Sequence, residues 1–169
     1  MSYPTEASGW KELVPEKWIL FDANAIISIL KYEQKHIFNE LKELGAEFVY
    51  INPVLLELMN TTNSAEKLER SKLLVDYDFK ELPLNREEVQ LASRIQKSLP
   101  LQCQPSPADL YLGGTLAKHY RENRLLLTAN IKDFPLPIYT RKGYVLLQKE
   151  NGVRILTFLC TDNSELVES

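Results

Sequence analysis

Residues 18–30 read WILFDANAIISIL, and the change of pattern at Asp22 decides the fold class. Trp18 to Phe21 is an apolar run of four stopped by an acid, the form of a short strand buried on both faces. From Ala25 onward, Ile26, Ile29 and Leu30 recur at three and four, which is the helical period. A strand that passes straight into a helix opens a β-α-β unit, whose next strand lies parallel to the first.

Outward from this stretch the alternation continues. His36 to Leu44 predicts a second helix closed by Gly45, and Glu47 to Ile51 a second strand. Asn52 as N-cap and Pro53 as first helical residue start a helix over Val54 to Asn60, followed by a polar loop at Thr61 to Ser64. Ala65 to Tyr77 and Arg86 to Ser98 are amphipathic helices; Phe79 to Leu84 between them reads as a strand or an edge connection. Leu99 to Pro107 is a proline-rich loop in which Ser106 caps a helix from Pro107 to about Arg121. Arg124 to Thr128 is the third clear buried strand. Tyr144 to Gln148 and Val153 to Leu159 flank Glu150, Asn151 and Gly152, the composition of a β-hairpin.

The expected fold is therefore α/β: one domain with a mainly parallel central sheet, helices on both faces and a C-terminal β-hairpin. Residues 1–17 read as an N-terminal extension, 18–160 as the domain and 161–169 as a flexible tail. A length of 169 residues, 44% hydrophobic and 25% charged, suits one folded domain and excludes disordered and collagen-like chains. Twenty Lys and Arg against 23 Asp and Glu give −3, which excludes a polybasic coat for nucleic acid or membrane. Cys103 and Cys160 have no metal-ligand spacing and imply no disulfide scaffold, so a reducing, cytoplasmic setting is expected. Residues 1–17 lack the apolar core of a signal peptide, and no stretch approaches the roughly 20 apolar residues of a membrane span.

In a parallel sheet the functional crevice lies beyond the carboxyl ends of the strands. Asp22 follows the first strand directly, with Asn24 two residues on. Glu57 lies one turn into the helix after the second strand, and Asp109 in the first turn of the helix from Pro107. Asp133 follows the third strand by five residues, in a loop that also carries Thr128 and Asn130. Four acids at one end of a sheet repel one another unless a cation neutralises them. Oxygen donors without His or Cys favour Mg²⁺ or Mn²⁺. Such ions lower the pKa of a bound water and stabilise both oxygens of a phosphodiester displacement, which points to hydrolysis of a nucleic-acid backbone.

The segments ILFDANAII (19–27), NPVLLELMN (52–60), SPADLYLGGTLAKHY (106–120) and LLLTANIKDFP (125–135) stand in the order and approximate spacing of the PIN domain. In these segments, from Trp18 to Pro137, the chain resembles the VapC-type toxin ribonucleases. The resemblance implies a metal-dependent endoribonuclease, with Asp22, Glu57, Asp109 and Asp133 as the four acids. It implies Asn24 as the polar residue beside the first acid, Thr128 as the site hydroxyl, and Asn130 as a neutral helper where many members carry Asp. It further implies a homodimer and an antitoxin that occludes the cleft.

Ordinary structural roles stand beside these. Asp109 sits at N3 behind Ser106 and can complete a capping box. Glu57 can be a solvated helical acid, although Leu55, Leu56, Leu58 and Met59 around it favour a buried or coordinated role. Asp133 can start a turn. Gly113 and Gly114, each costing about 1 kcal/mol in a helix, imply close packing against the sheet or a partner rather than a phosphate loop. His36 and His119 read as surface residues. Lys31, Lys35 and His36, and Lys118, Arg121 and Arg124, are the local basic groups able to meet a phosphate backbone, and Tyr32, Tyr111 and Tyr120 the rings able to stack on bases.

The Asn130 departure motivates a second reading, a catalytically weakened PIN-like module that binds RNA or protein. A structure-specific DNA nuclease is a third, although 169 residues leave no room for substrate-threading helices. Without the four acids the chain carries 20 basic and 19 acidic groups. The low net charge therefore does not exclude RNA; it predicts weak RNA binding without metal.

Overall fold

The computed structural model describes residues 9–119 and 123–161. In chain order the elements are α1 (Trp10–Leu13), β1 (Trp18–Phe21), α2 (Ala23–Lys31), α3 (His36–Glu43), β2 (Glu47–Ile51), α4 (Asn52–Met59) and α5 (Ser64–Asp76). They continue with β3 (Lys80–Leu82), α6 (Arg86–Ser98), α7 (Pro107–Lys118), β4 (Arg124–Thr128), a 3₁₀ turn (Ile131–Asp133), β5 (Thr140–Lys149) and β6 (Gly152–Cys160).

The six strands form one sheet in the order β3-β2-β1-β4-β6-β5. β3, β2, β1 and β4 run parallel, while β6 is antiparallel to β4 and β5 to β6. The chain steps from β1 outward to β2 and β3, then returns to the other side of β1 as β4. This reversal of direction beside β1 is a topological switch point, where loops diverge and leave a crevice. β4 is buried along its whole length and β1 from Ile19 to Phe21, so both faces of the central strands are covered. On one face Phe21, Phe38, Phe48 and Phe79 meet edge to face or tilted at 4.9–6.3 Å between ring centroids, pinning α3 to β1 and β2. The fold class expected from the sequence is the one observed.

Several local boundaries move, each for a physical reason. The helix after β1 begins at Ala23, because Asp22 itself takes the extended N-cap backbone. Helix α4 begins at Asn52 with Ile51 as N-cap, so Asn52 is freed from capping and its amide reaches Glu81 at 3.4 Å. The ambiguous segment Phe79 to Leu84 contains β3, a short parallel edge strand on β2. The hairpin starts at Thr140 and joins the main sheet, since β6 pairs with β4 from Leu126 to Thr128. The described part of α7 ends at Lys118 with His119 as C-cap; the expected continuation to Arg121 reaches residues 120–122, outside the described residues.

The expected N-terminal extension contributes to the core. Trp10 and Val14 are buried, and the Trp10 ring stacks on Phe158 at 6.4 Å. At the other end Thr161, counted into the flexible tail, is buried and donates to the Ile138 carbonyl at 2.9 Å. The rest of that tail, 162–169, lies outside the described residues.

The two helical glycines pack against a helix and a tyrosine. A Cβ on Gly114 would lie 2.3 Å from the Glu88 carbonyl of α6, and one on Gly113 2.0 Å from the hydroxyl of Tyr139. Lys118 adds an ion pair between α7 and α6, 2.8 Å to Glu88 and 3.4 Å to Glu87. Burial would push the Glu88 carboxyl up, but its hydrogen bond to Lys118 and the backbone donors of the helix start bring it below the ordinary value. No helix among the described residues is long and apolar enough to cross a membrane.

Candidate active site

At the carboxyl edge of the switch point the loops after β1 and β4 are tied together. Asp22 is 2% exposed, and its Oδ2 accepts the Thr128 hydroxyl at 2.8 Å. The backbone N–H of Ala23 also donates to this carboxyl. Asn24 Oδ1 accepts the Ala129 N–H at 2.8 Å and lies 3.4 Å from the Thr128 hydroxyl. The Asn130 N–H donates back to Thr128 Oγ1 at 3.1 Å, and its side-chain amide donates to Asp133 Oδ2 in the 3₁₀ turn. Thr128 therefore organises three of the positions read from the sequence, and it is itself fully buried.

From the third side comes the start of α7. Ser106 and Asp109 form the capping box: Asp109 Oδ2 accepts the Ser106 N–H and hydroxyl, both at 2.8 Å, while the Asp109 N–H donates to Ser106 Oγ at 3.2 Å. The structural role considered for Asp109 is thus present, and it does not remove the residue from the site. Asp109 lines the same cleft, of about 420 Å³, as Asp22, Asn24, Glu57, Asn130 and Asp133.

Electrostatics show how closely the acids feel one another. Burial, with repulsion from Asp109 and then Glu57, pushes Asp22 up to about 7 even though the Thr128 hydrogen bond opposes the change. Glu57 is raised by burial and by Asp109, and Asp133 by burial and Asp109, with Lys132 and Asn130 acting the other way. Asp109 is the shared neighbour of the other three. Glu57 is the most open of them; the buried placement its apolar neighbours suggested is not found, because Leu56 beside it is also 65% exposed.

Mg²⁺ or Mn²⁺ would find hard oxygen donors throughout this lining, and the raised carboxyls are the condition a divalent cation relieves. The chemistry of the donor set fits. As they stand, however, no three His, Cys, Asp or Glu side chains among the described residues are gathered closely enough to hold one ion. The cleft brings four acids together as neighbours, not as a closed ligand shell.

Three lining residues were not read as site residues from the sequence: Gln104, Ser106 (read only as a cap) and Lys132. Lys132 was the legible one, since it sits between Asn130 and Asp133. Of the basic groups singled out in the sequence, those among the described residues do not line this cleft. Lys118 is engaged by Glu88 and Glu87, Lys35 by Glu69 at 2.9 Å, and Arg124 stands over the Trp18 ring at the amino end of β4, opposite the cleft. Tyr111 packs against the core, and Tyr32 meets the hairpin turn at Gly152; Tyr120 and Arg121 are outside the described residues. Comparison with family models, curated proteins and solved structures finds no match for this chain.

Proposed function

We propose that this chain is a PIN-type endoribonuclease that hydrolyses RNA phosphodiester bonds with Mg²⁺ or Mn²⁺. The observation that carries the reading is the convergence of Asp22, Glu57, Asp109 and Asp133 on one cleft at the switch point between β1 and β4. Its narrower form, the toxin of a toxin-antitoxin pair acting as a homodimer, rests on the resemblance of the four sequence segments alone.

Asp22, Glu57, Asp109 and Asp133 would hold the cation, which when bound would supply positive charge beside the scissile phosphate and lower the pKa of an attacking water. The chain's own contribution is preorganisation. Thr128 and the Ala23 amide fix the Asp22 carboxyl, and Asn24 is held by the Ala129 amide so that its side chain stays at the cleft wall. Asn130 holds Asp133 through its amide. Asp22 must give up its proton before it can act as a ligand, so cation affinity rises with pH through about 7.

The test is cleavage of a single-stranded RNA by nuclease-free protein with Mn²⁺, compared with Asp22→Asn. Full metal-dependent cleavage by the variant sinks the mechanism, and matched RNA and DNA oligonucleotides decide the substrate class.

The second reading, a PIN-like module that binds RNA or protein without cleaving, is favoured by one observation. Asn130 occupies a position where an acid would add charge, and it spends its amide on Asp133. Isothermal titration with Mn²⁺ separates the two readings: absence of saturable binding at millimolar metal favours the module.

A further inference from the structure

We propose that Lys132 receives the phosphate backbone of the substrate at this cleft, an inference that rests on the ribonuclease reading above. Lys132 is the one cationic side chain among the described residues that line the cleft. A polyanion entering among four acids is repelled everywhere except beside a cation, and an ammonium offers three N–H donors to phosphate oxygens.

The backbone beneath this lysine is held from two directions. The 3₁₀ turn is closed by the Asp133 N–H to the Asn130 carbonyl at 3.3 Å, and the Cys103 thiol lies 3.5 Å from the Lys132 carbonyl. Cys103 belongs to the loop between α6 and α7 that also brings Gln104 and Ser106 to the cleft, so the Lys132 backbone is tied to a second segment of the cleft lining.

Its side chain remains exposed, and it closes no ion pair within 4 Å on the described residues although Asp133 is adjacent. The charge acts on Asp133, lowering a carboxyl that burial and Asp109 raise. This is the placement expected of a group kept for a ligand: held at the backbone, exposed at the side chain, and lining the same cleft as the acids. Lys118 and Lys35, by contrast, are spent on Glu88 and Glu69.

The experiment compares wild type with Lys132→Ala, Lys132→Arg and Lys132→Glu on a short single-stranded RNA with Mn²⁺, at several salt concentrations. Lys132→Ala is expected to raise KM about tenfold with little change in kcat. It should also reduce the slope of log KM against log salt by about 0.7, one single-strand phosphate contact. Lys132→Arg should recover most of the loss, Lys132→Glu should exceed it, and the Mn²⁺-induced rise in Tm should survive in Lys132→Ala. An unchanged KM and salt slope in Lys132→Ala overturns the proposal. If wild type binds RNA but does not cleave it, the ribonuclease reading fails while fluorescence anisotropy of the same variants still decides the role of Lys132. A wild type that neither cleaves nor binds RNA overturns both.

Discussion

The Thr128 hydroxyl donates to Oδ2 of Asp22 at 2.8 Å, joining the carboxyl ends of β4 and β1 where the two strands lie side by side. The backbone reinforces it, with the Asp22 N–H on the Leu127 carbonyl at 3.0 Å. An acid buried at this junction is held in place by a neutral donor, so its charge is left for something else to balance.

Asp22 makes metal-free stability fall as pH rises. Its carboxyl is raised from 3.8 in the unfolded chain to about 7 in the fold, so between those values the folded chain holds the proton more tightly. The associated stability is complete below about 4 and is lost as pH climbs through 7. Asp22→Asn should remove this part of the pH dependence and leave metal-free protein more stable at pH 8, by at most roughly 4 kcal/mol. Urea unfolding of both proteins at pH 5 and pH 8 measures it; an equally steep loss in the variant places the ionisation elsewhere.

Removal of the Thr128 hydroxyl should do the reverse. Thr128→Val keeps the shape but leaves the buried Asp22 carboxyl with only the Ala23 N–H as donor, at a cost of about 1–3 kcal/mol. The cost should be larger at pH 8 than at pH 5, because the ionised form needs the donor more. Thr128→Ser should retain most of the stability, and in the Asp22→Asn background Thr128→Val should cost less. A pH-independent loss would mark a packing effect alone.

Mn²⁺ should raise Tm at pH 8 and much less at pH 5.5, since Asp22, Glu57 and Asp133 all have raised carboxyls that compete for protons. Differential scanning fluorimetry with and without chelator reads this directly. A shift of equal size at both pH values would place binding outside the cleft.

Gly113 and Gly114 should respond differently to alanine. Each substitution gains about 1 kcal/mol of helix propensity. Against that, Gly114→Ala pushes into the Glu88 carbonyl, a backbone atom that cannot step aside, and should destabilise by about 1–3 kcal/mol net. Gly113→Ala meets the Tyr139 hydroxyl, so Tyr139→Phe should restore part of its loss and should not help Gly114→Ala. Thermal melts of the three single variants and the two double variants with Tyr139→Phe test the difference.

Deletion of residues 1–17 should unfold the domain or lower its Tm steeply, because Trp10 and Val14 leave the core with it. The narrower variant Trp10→Ala should cost about 3–5 kcal/mol. A truncated chain with wild-type Tm would mean that the segment packs without contributing.

Local pattern alone determined a large part of this protein. The switch of period at Asp22, the cap at Ser106 and the turn at Glu150 to Gly152 depend on neighbours a few residues apart, and they yield the α/β class, the helix start at Pro107 and the hairpin. The candidate acids were legible for the same reason: each stands at a fixed offset from the end of a strand or the start of a helix. What local pattern lacks is the partner of each surface. Trp10 looked like part of an extension because its burial is supplied by β6, nearly 150 residues later, and Lys118 looked available because Glu88 sits on another helix. The order β2-β1-β4, the bond from Thr128 to Asp22, the openness of Glu57 and the arrival of Lys132 and Gln104 at the cleft were decided by tertiary structure alone. Charge and burial act through space, and only the assembled sheet sets the distances over which they act.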